Sequence, residues 1–272
     1  MMTYFKLVDF EVKRFWKIYA VLIALLVILQ PIAMLFSVSG VEETIKNRGY
    51  SFGDDMPITD LVMPITEFTW SFLFLLPNLL CIGALIFYVF GTWYLEWFGK
   101  NTFAYQMLLL PVNRMAVYFA KLTSLLLFII GCLVVQLAIF PLLKVIYTSG
   151  VPLQYQENVN LISWLSSHDL LNTVIPTNSI DFIASYSLGI MVVIIIFTMI
   201  ILERSFRLKG IGLAIVYGLV CLLLFGLADI IIEPFLFLYN MEYLIIKVIC
   251  MAIIIVLSIW ISHYALNKKI SV

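Results

Sequence analysis

The chain has 272 residues, of which 64% are hydrophobic and 12% charged, and 16 basic residues balance 16 acidic ones. So apolar a composition excludes a water-soluble globule, and no nucleic acid is expected among its partners. The apolar residues gather in long runs, so the expected fold class is all-α: a polytopic membrane protein forming a single transmembrane domain over residues 1–272.

Residues 4–16 predict an interfacial helix, with an ordinary positively charged lead-in to the first span as the competing reading. At 100° per residue Tyr4, Phe5, Val8, Val12, Phe15 and Trp16 share one stripe, with Lys6, Lys13 and Lys17 opposite, so the basic side meets the headgroups of membrane lipids. Six spans follow, at about 18–38, 70–95, 122–147, 182–202, 211–231 and 244–262. Each has about 19 or more residues, and at ~1.5 Å rise per residue that crosses a ~30 Å hydrocarbon core. Helices are required because an isolated span must satisfy its own backbone hydrogen bonds in lipid. The triplet Ser37, Val38, Ser39 imitates a signal cleavage site, but the apolar run before it is too long and further spans follow, so it is read as retained. The link 39–69 is acidic, with Glu42, Glu43, Asp54, Asp55, Asp60 and Glu67. In the link 148–181, Leu161, Trp164 and Leu165 predict a short helix resting on the membrane surface. Links 203–210 and 232–243 are short, which makes their flanking helices antiparallel neighbours.

Basic residues set the orientation. Lys6, Lys13, Arg14, Lys17, Lys100, Arg114, Lys121, Arg204, Arg207, Lys209, Lys268 and Lys269 fall on one side, leaving Lys46, Arg48, Lys144 and Lys247 on the other. Both termini are therefore expected in the cytoplasm, with the chain in a bacterial cytoplasmic membrane.

Polar chemistry inside the spans is sparse. Gln30-Pro31 and Pro77-Asn78 lie about a third of the way in from the outer face, where each proline frees a carbonyl and each amide can hydrogen-bond across a cavity. These four residues are the candidate substrate path, with tolerated kinks as the competing reading. Gln136 is a further buried amide, read as interhelical glue. Cys81, Cys132, Cys221 and Cys250 sit one per span and read as apolar core residues, not as a metal site or disulfide framework. No carboxylate or histidine falls near a midplane, so energy is expected from outside the chain rather than from a coupled ion.

Catalytic motifs are absent. Gly99-Lys100-Asn101-Thr102 lacks the earlier glycine of a phosphate loop, whose place is taken by Tyr94. Glu42-Glu43 and Arg48 miss the spacing of prenyl-protein proteases. Tyr147-Thr148-Ser149-Gly150 lacks the first glycine of a rhomboid serine motif, and His263 lies across the membrane from it. The chain is expected to be a non-catalytic subunit that binds no cofactor or metal itself.

Residues 96–121 are amphipathic and basic between two spans. Glu96, Gly99 and Thr102 open this stretch, Leu108-Leu109-Leu110 end a short helix, Pro111-Val112-Asn113-Arg114 form a turn, and Lys121 stands ten residues after Pro111. This pattern resembles the coupling region of ABC-2 type permeases, the six-helix membrane subunits of ATP-driven exporters. The resemblance implies a cytoplasmic coupling helix over 102–110, with Glu96, Gly99, Thr102, Phe103, Met107, Leu110, Pro111 and Arg114 as ATPase-coupling residues. It further implies ABC ATPase subunits that hold the ATP-Mg, a second permease subunit of the same or a related kind, and export of a hydrophobic or amphipathic substrate such as an antimicrobial peptide or drug. The family's re-entrant outer hairpin would have to be built from residues 232–241. Independently of the family, Asn101 can cap a helix over 102–110 and Pro111 can stop it. Two other readings stand beside this one: an immunity or sensory protein that sequesters a toxic peptide without energy, and a secondary carrier.

Overall fold

The computed structural model describes residues 2–40, 65–97, 113–151, 156–157, 160–167, 169–206, 208–227 and 240–268. Among them the helices are α1 (Met2–Ser39), α2 (Ile65–Thr69), α3 (Phe72–Trp97), α4 (Arg114–Gly150), α5 (Leu161–Ser167), α6 (Asp169–Val174), α7 (Ser179–Phe206), α8 (Leu208–Leu227) and α9 (Asn240–Lys268). Six of these, α1, α3, α4, α7, α8 and α9, are long and apolar enough to cross a membrane. Only 17% to 39% of each one's most apolar window is buried against protein, so lipid or a partner must cover the rest. The chain is a multi-pass membrane protein.

Local sequence explains the boundaries. Ser71 caps α3, its Oγ accepting from the Phe74 N–H at 3.3 Å, and Asn113 caps α4, its Oδ1 accepting from the Met115 N–H at 3.0 Å. In α4 the uncharged stretch 122–143 is about 33 Å long, matching the hydrocarbon core, and Lys121 and Lys144 bracket it. No glycine or proline precedes Pro31 in α1, so nothing breaks the helix between residues 4 and 30. Residues 4–16 are accordingly not a separate helix but the opening turns of a 38-residue one. Three helices carry an internal proline: Pro31 in α1, Pro77 in α3 and Pro141 in α4.

The described residues form two compact units, one of residues 12–85 and 126–179, the other of residues 1–11, 86–125 and 180–272. The core of the first joins Leu26 and Met34 of α1, Phe74 of α3, Leu143 and Tyr147 of α4, and Trp164 of α5. Trp164 is 1% exposed and its ring lies 4.9 Å from that of Phe140. The short helix expected at 161–165 is therefore present, but its apolar side packs on protein. Gly131 of α4 admits α1, since a Cβ there would strike the Tyr19 hydroxyl.

In the second unit the Phe197 ring meets Trp93 and Tyr118 edge to face, both at 5.6 Å between centroids, and Trp93 lies tilted against Tyr118 at 6.3 Å. A buried hydroxyl network adds to this: Thr198 Oγ1 lies 2.9 Å from Ser262 Oγ and donates to the Ser258 carbonyl at 3.3 Å, and Ser258 pairs with Tyr217. Helices α7, α8 and α9 are thus joined by neutral hydrogen bonds, the kind an apolar surround tolerates. Helices α7 and α8 approach closely at Gly210, where a Cβ would meet the carbonyl oxygens of Leu202 and Glu203.

Candidate functional site

Two polar clusters stand out within the spans, one in each unit. In the first, three amides from three helices meet. Gln30 Nε2 of α1 donates to Asn78 Oδ1 of α3 at 3.2 Å and to Gln136 Oε1 of α4 at 3.0 Å. Gln30 is 0% exposed, Gln136 5%, and Asn78 half-buried. Two of the candidate substrate-path residues are thus brought together, and Gln136, read separately as glue, completes the group. Pro31 follows Gln30 and Pro77 precedes Asn78, and both lie within their helices. Each proline lacks the N–H that would serve the carbonyl one turn back, Val27 and Leu73 respectively. Pro141 does the same for Leu137, beside Gln136.

The second cluster is a buried ion pair. The Lys121 ammonium donates to Glu11 Oε1 at 2.7 Å and to the Thr92 carbonyl at 2.9 Å, and lies 5.3 Å from the Trp93 ring centroid. Both charged side chains are 0% exposed. Because α4 begins at Arg114, Lys121 sits two turns inside the helix, at the edge of its uncharged stretch. A lone cation in an apolar surround would cost several kcal/mol, on the order of the desolvation penalty per ion; here a carboxylate, a carbonyl near the negative end of α3 and a π-face share it. One amine thereby ties α1, α3 and α4 together. Glu11 is the member that the sequence reading missed. The signal was there: Glu11 falls among Val8, Val12 and Phe15 on the apolar stripe, where an acid needs a buried partner.

Further polar contacts flank the α3–α4 link. Before it, the Tyr94 hydroxyl donates to Glu203 of α7, and the Arg204 guanidinium lies 5.1 Å from the Tyr94 ring centroid. After it, Arg114 donates to the Leu266 carbonyl in the last turn of α9, as suits a cation at a helix C-terminus. Of the candidate coupling residues, Arg114 is placed in this way and Glu96 falls in the last turn of α3. Gly99, Thr102, Phe103, Met107, Leu110 and Pro111, with the helix expected over 102–110, lie outside the described residues, as does most of the stretch 232–241. Among the described residues no group of three or more His, Cys, Asp and Glu side chains could hold a metal ion. Compared with protein-family models, curated proteins and solved structures, the chain matches none.

Proposed function

We propose that this chain is the permease subunit of an ATP-driven exporter of the ABC-2 kind. In this reading both termini and the link 98–112 face the cytoplasm of a bacterium. A separate ATPase grips that link, and two permease subunits move a hydrophobic or amphipathic cargo outward. The observation that carries the reading is the anchorage on either side of the link. Tyr94, Arg114 and Lys121 hold Glu203 of α7, the end of α9 and Glu11 of α1. A push on the link is then delivered to three other helices through charged and hydrogen-bonded contacts, which is what a subunit driven from outside requires. The chain itself offers no phosphate loop, so hydrolysis belongs to the partner.

The test is co-purification in detergent with an ATPase encoded beside it, comparing wild type with Phe103→Ala/Leu110→Ala. Each fully buried apolar side chain contributes about 1.5–3 kcal/mol, so losing two should dissolve a moderate complex. Unchanged assembly together with unchanged cargo-stimulated hydrolysis would refute the docking.

A further inference from the structure

Helices α1 and α4 run side by side in a fixed register. An added Cβ at Gly131 would strike Tyr19, one at Gly150 would strike Val38, and the two contacts are 19 residues apart on both helices. Phe128 fits the same alignment, its ring 5.2 Å from that of Phe15 and 4.7 Å from that of Tyr19. At this register the uncharged stretches 18–39 of α1 and 122–143 of α4 coincide only over 18–31 and 130–143. Their shared depth is therefore about 21 Å, against a hydrocarbon core of ~30 Å. Lys17 lies between Phe15 and Tyr19 and so shares the depth of Phe128. That is about 9 Å inside the uncharged stretch of α4.

The charge at this depth is concentrated. Lys13, Arg14 and Lys17 are all exposed, Lys13 and Lys17 on the side of α1 opposite Phe15 and Tyr19, with Arg14 beside them. Lys13 and Lys17 are one turn apart, a spacing at which like charges repel. The nearest acid on that side is Asp9, one turn before Lys13, so the patch keeps a positive excess. Trp16, Ile18 and Val21 around it are exposed as well.

These features select the occupant. Hydrocarbon leaves the cations unsolvated, and snorkelling recovers only part of the depth. An anion between Lys13 and Lys17 removes their repulsion and accepts from the ammonium and guanidinium N–H groups. Because Trp16, Ile18 and Val21 present apolar surface beside it, the anion that suits the place carries acyl chains of its own. A zwitterionic headgroup would bring a further cation to the patch; a headgroup of net negative charge does not.

We propose that Lys13, Arg14 and Lys17 bind the phosphate of an anionic phospholipid, whose headgroup dips toward the bilayer centre beside α1. The local thinning this entails is the ordinary response of a bilayer to an uncharged depth shorter than its core. The site stands apart from the exporter reading, since it needs neither ATPase nor cargo.

The experiment uses the full chain reconstituted in phosphatidylcholine bilayers at physiological salt, which screens long-range attraction. Trace spin-labelled phosphatidylglycerol and phosphatidylcholine report, by electron spin resonance, how much of each is held at the protein surface. Phosphatidylglycerol should be preferred about fivefold or more, the factor for one basic residue near an anionic surface. The preference should fall to near unity in Lys13→Gln/Arg14→Gln/Lys17→Gln. It should persist in Lys209→Gln/Lys268→Gln/Lys269→Gln, which removes equal charge elsewhere. Wild type supplies a second readout that no folding defect can remove: phosphatidylglycerol with a photoreactive headgroup should crosslink within residues 10–21, mapped by mass spectrometry. No preference in wild type, a preference that survives the first triple variant or is lost equally in the second, or crosslinks concentrated elsewhere would each overturn the proposal. Displacement of the lipid by millimolar inorganic phosphate would overturn it too, by marking a site for free phosphate.

Discussion

Lys121 and Glu11 each justify the other's burial. Removing one charge leaves the other buried and unpaired, at a cost of about 3–5 kcal/mol, whereas replacing both by apolar groups of similar volume is often near neutral. Glu11→Gln and Lys121→Met should therefore each lower the thermal midpoint in detergent sharply, and the Glu11→Leu/Lys121→Met double variant should recover most of the loss. A double variant worse than either single would mean that the pair is not coupled as the 2.7 Å contact indicates. Gly131 makes a second prediction at this scale. Alanine in a helix interior gains about 1 kcal/mol over glycine, but overpacking costs about 1–3 kcal/mol. Gly131→Ala should thus be net destabilising, and Tyr19→Phe should partly restore it by deleting the hydroxyl, though the ring carbon would remain 3.2 Å from the new methyl. Neither contact was legible in the sequence. Periodicity places Glu11 on the apolar stripe, but it cannot say that residue 121 meets it there.

At the scale of elements, the pattern of apolar runs located the six helices able to cross a bilayer, because length and hydropathy alone decide that; it missed how far α1 and α4 extend ahead of the expected starts at 18 and 122, to Met2 and Arg114. Partners of amphipathic faces were another matter. The stripe at residues 4–16 and the one at 161–165 both fit a lipid surface, yet Trp164 and Leu165 are buried against protein, and the first stripe is divided, with Val8 and Phe15 buried while Phe5 and Trp16 stay exposed. A hydrophobic stripe reports that something apolar covers it and is silent on what. Trp164→Ala should cost about 3–5 kcal/mol and release α5 from Phe140, seen as faster amide exchange over residues 161–167; Trp164→Phe should cost much less. Equal exchange in Trp164→Ala and wild type would place the docking energy of α5 elsewhere.

For the whole molecule, the prediction is one of sidedness. Single cysteines introduced at Lys100 and Asp55, in a background lacking the four native ones, should react with an impermeant reagent from opposite faces of the membrane. Labelling from the same face would overturn the topology and with it the exporter reading. The candidate site was half legible: Gln30 and Asn78 announced themselves as amides beside prolines. That they share a bond network with Gln136 depends on helix packing, which no local pattern encodes. The close approach of α7 and α8 bears on which substitutions the chain tolerates. At Gly210 a Cβ would meet the carbonyl oxygens of Leu202 and Glu203, so a larger residue there must prise the neighbouring ends of α7 and α8 apart. Because the Glu203 side chain also receives the Tyr94 hydroxyl, that displacement would carry into α3, and position 210 admits little besides glycine.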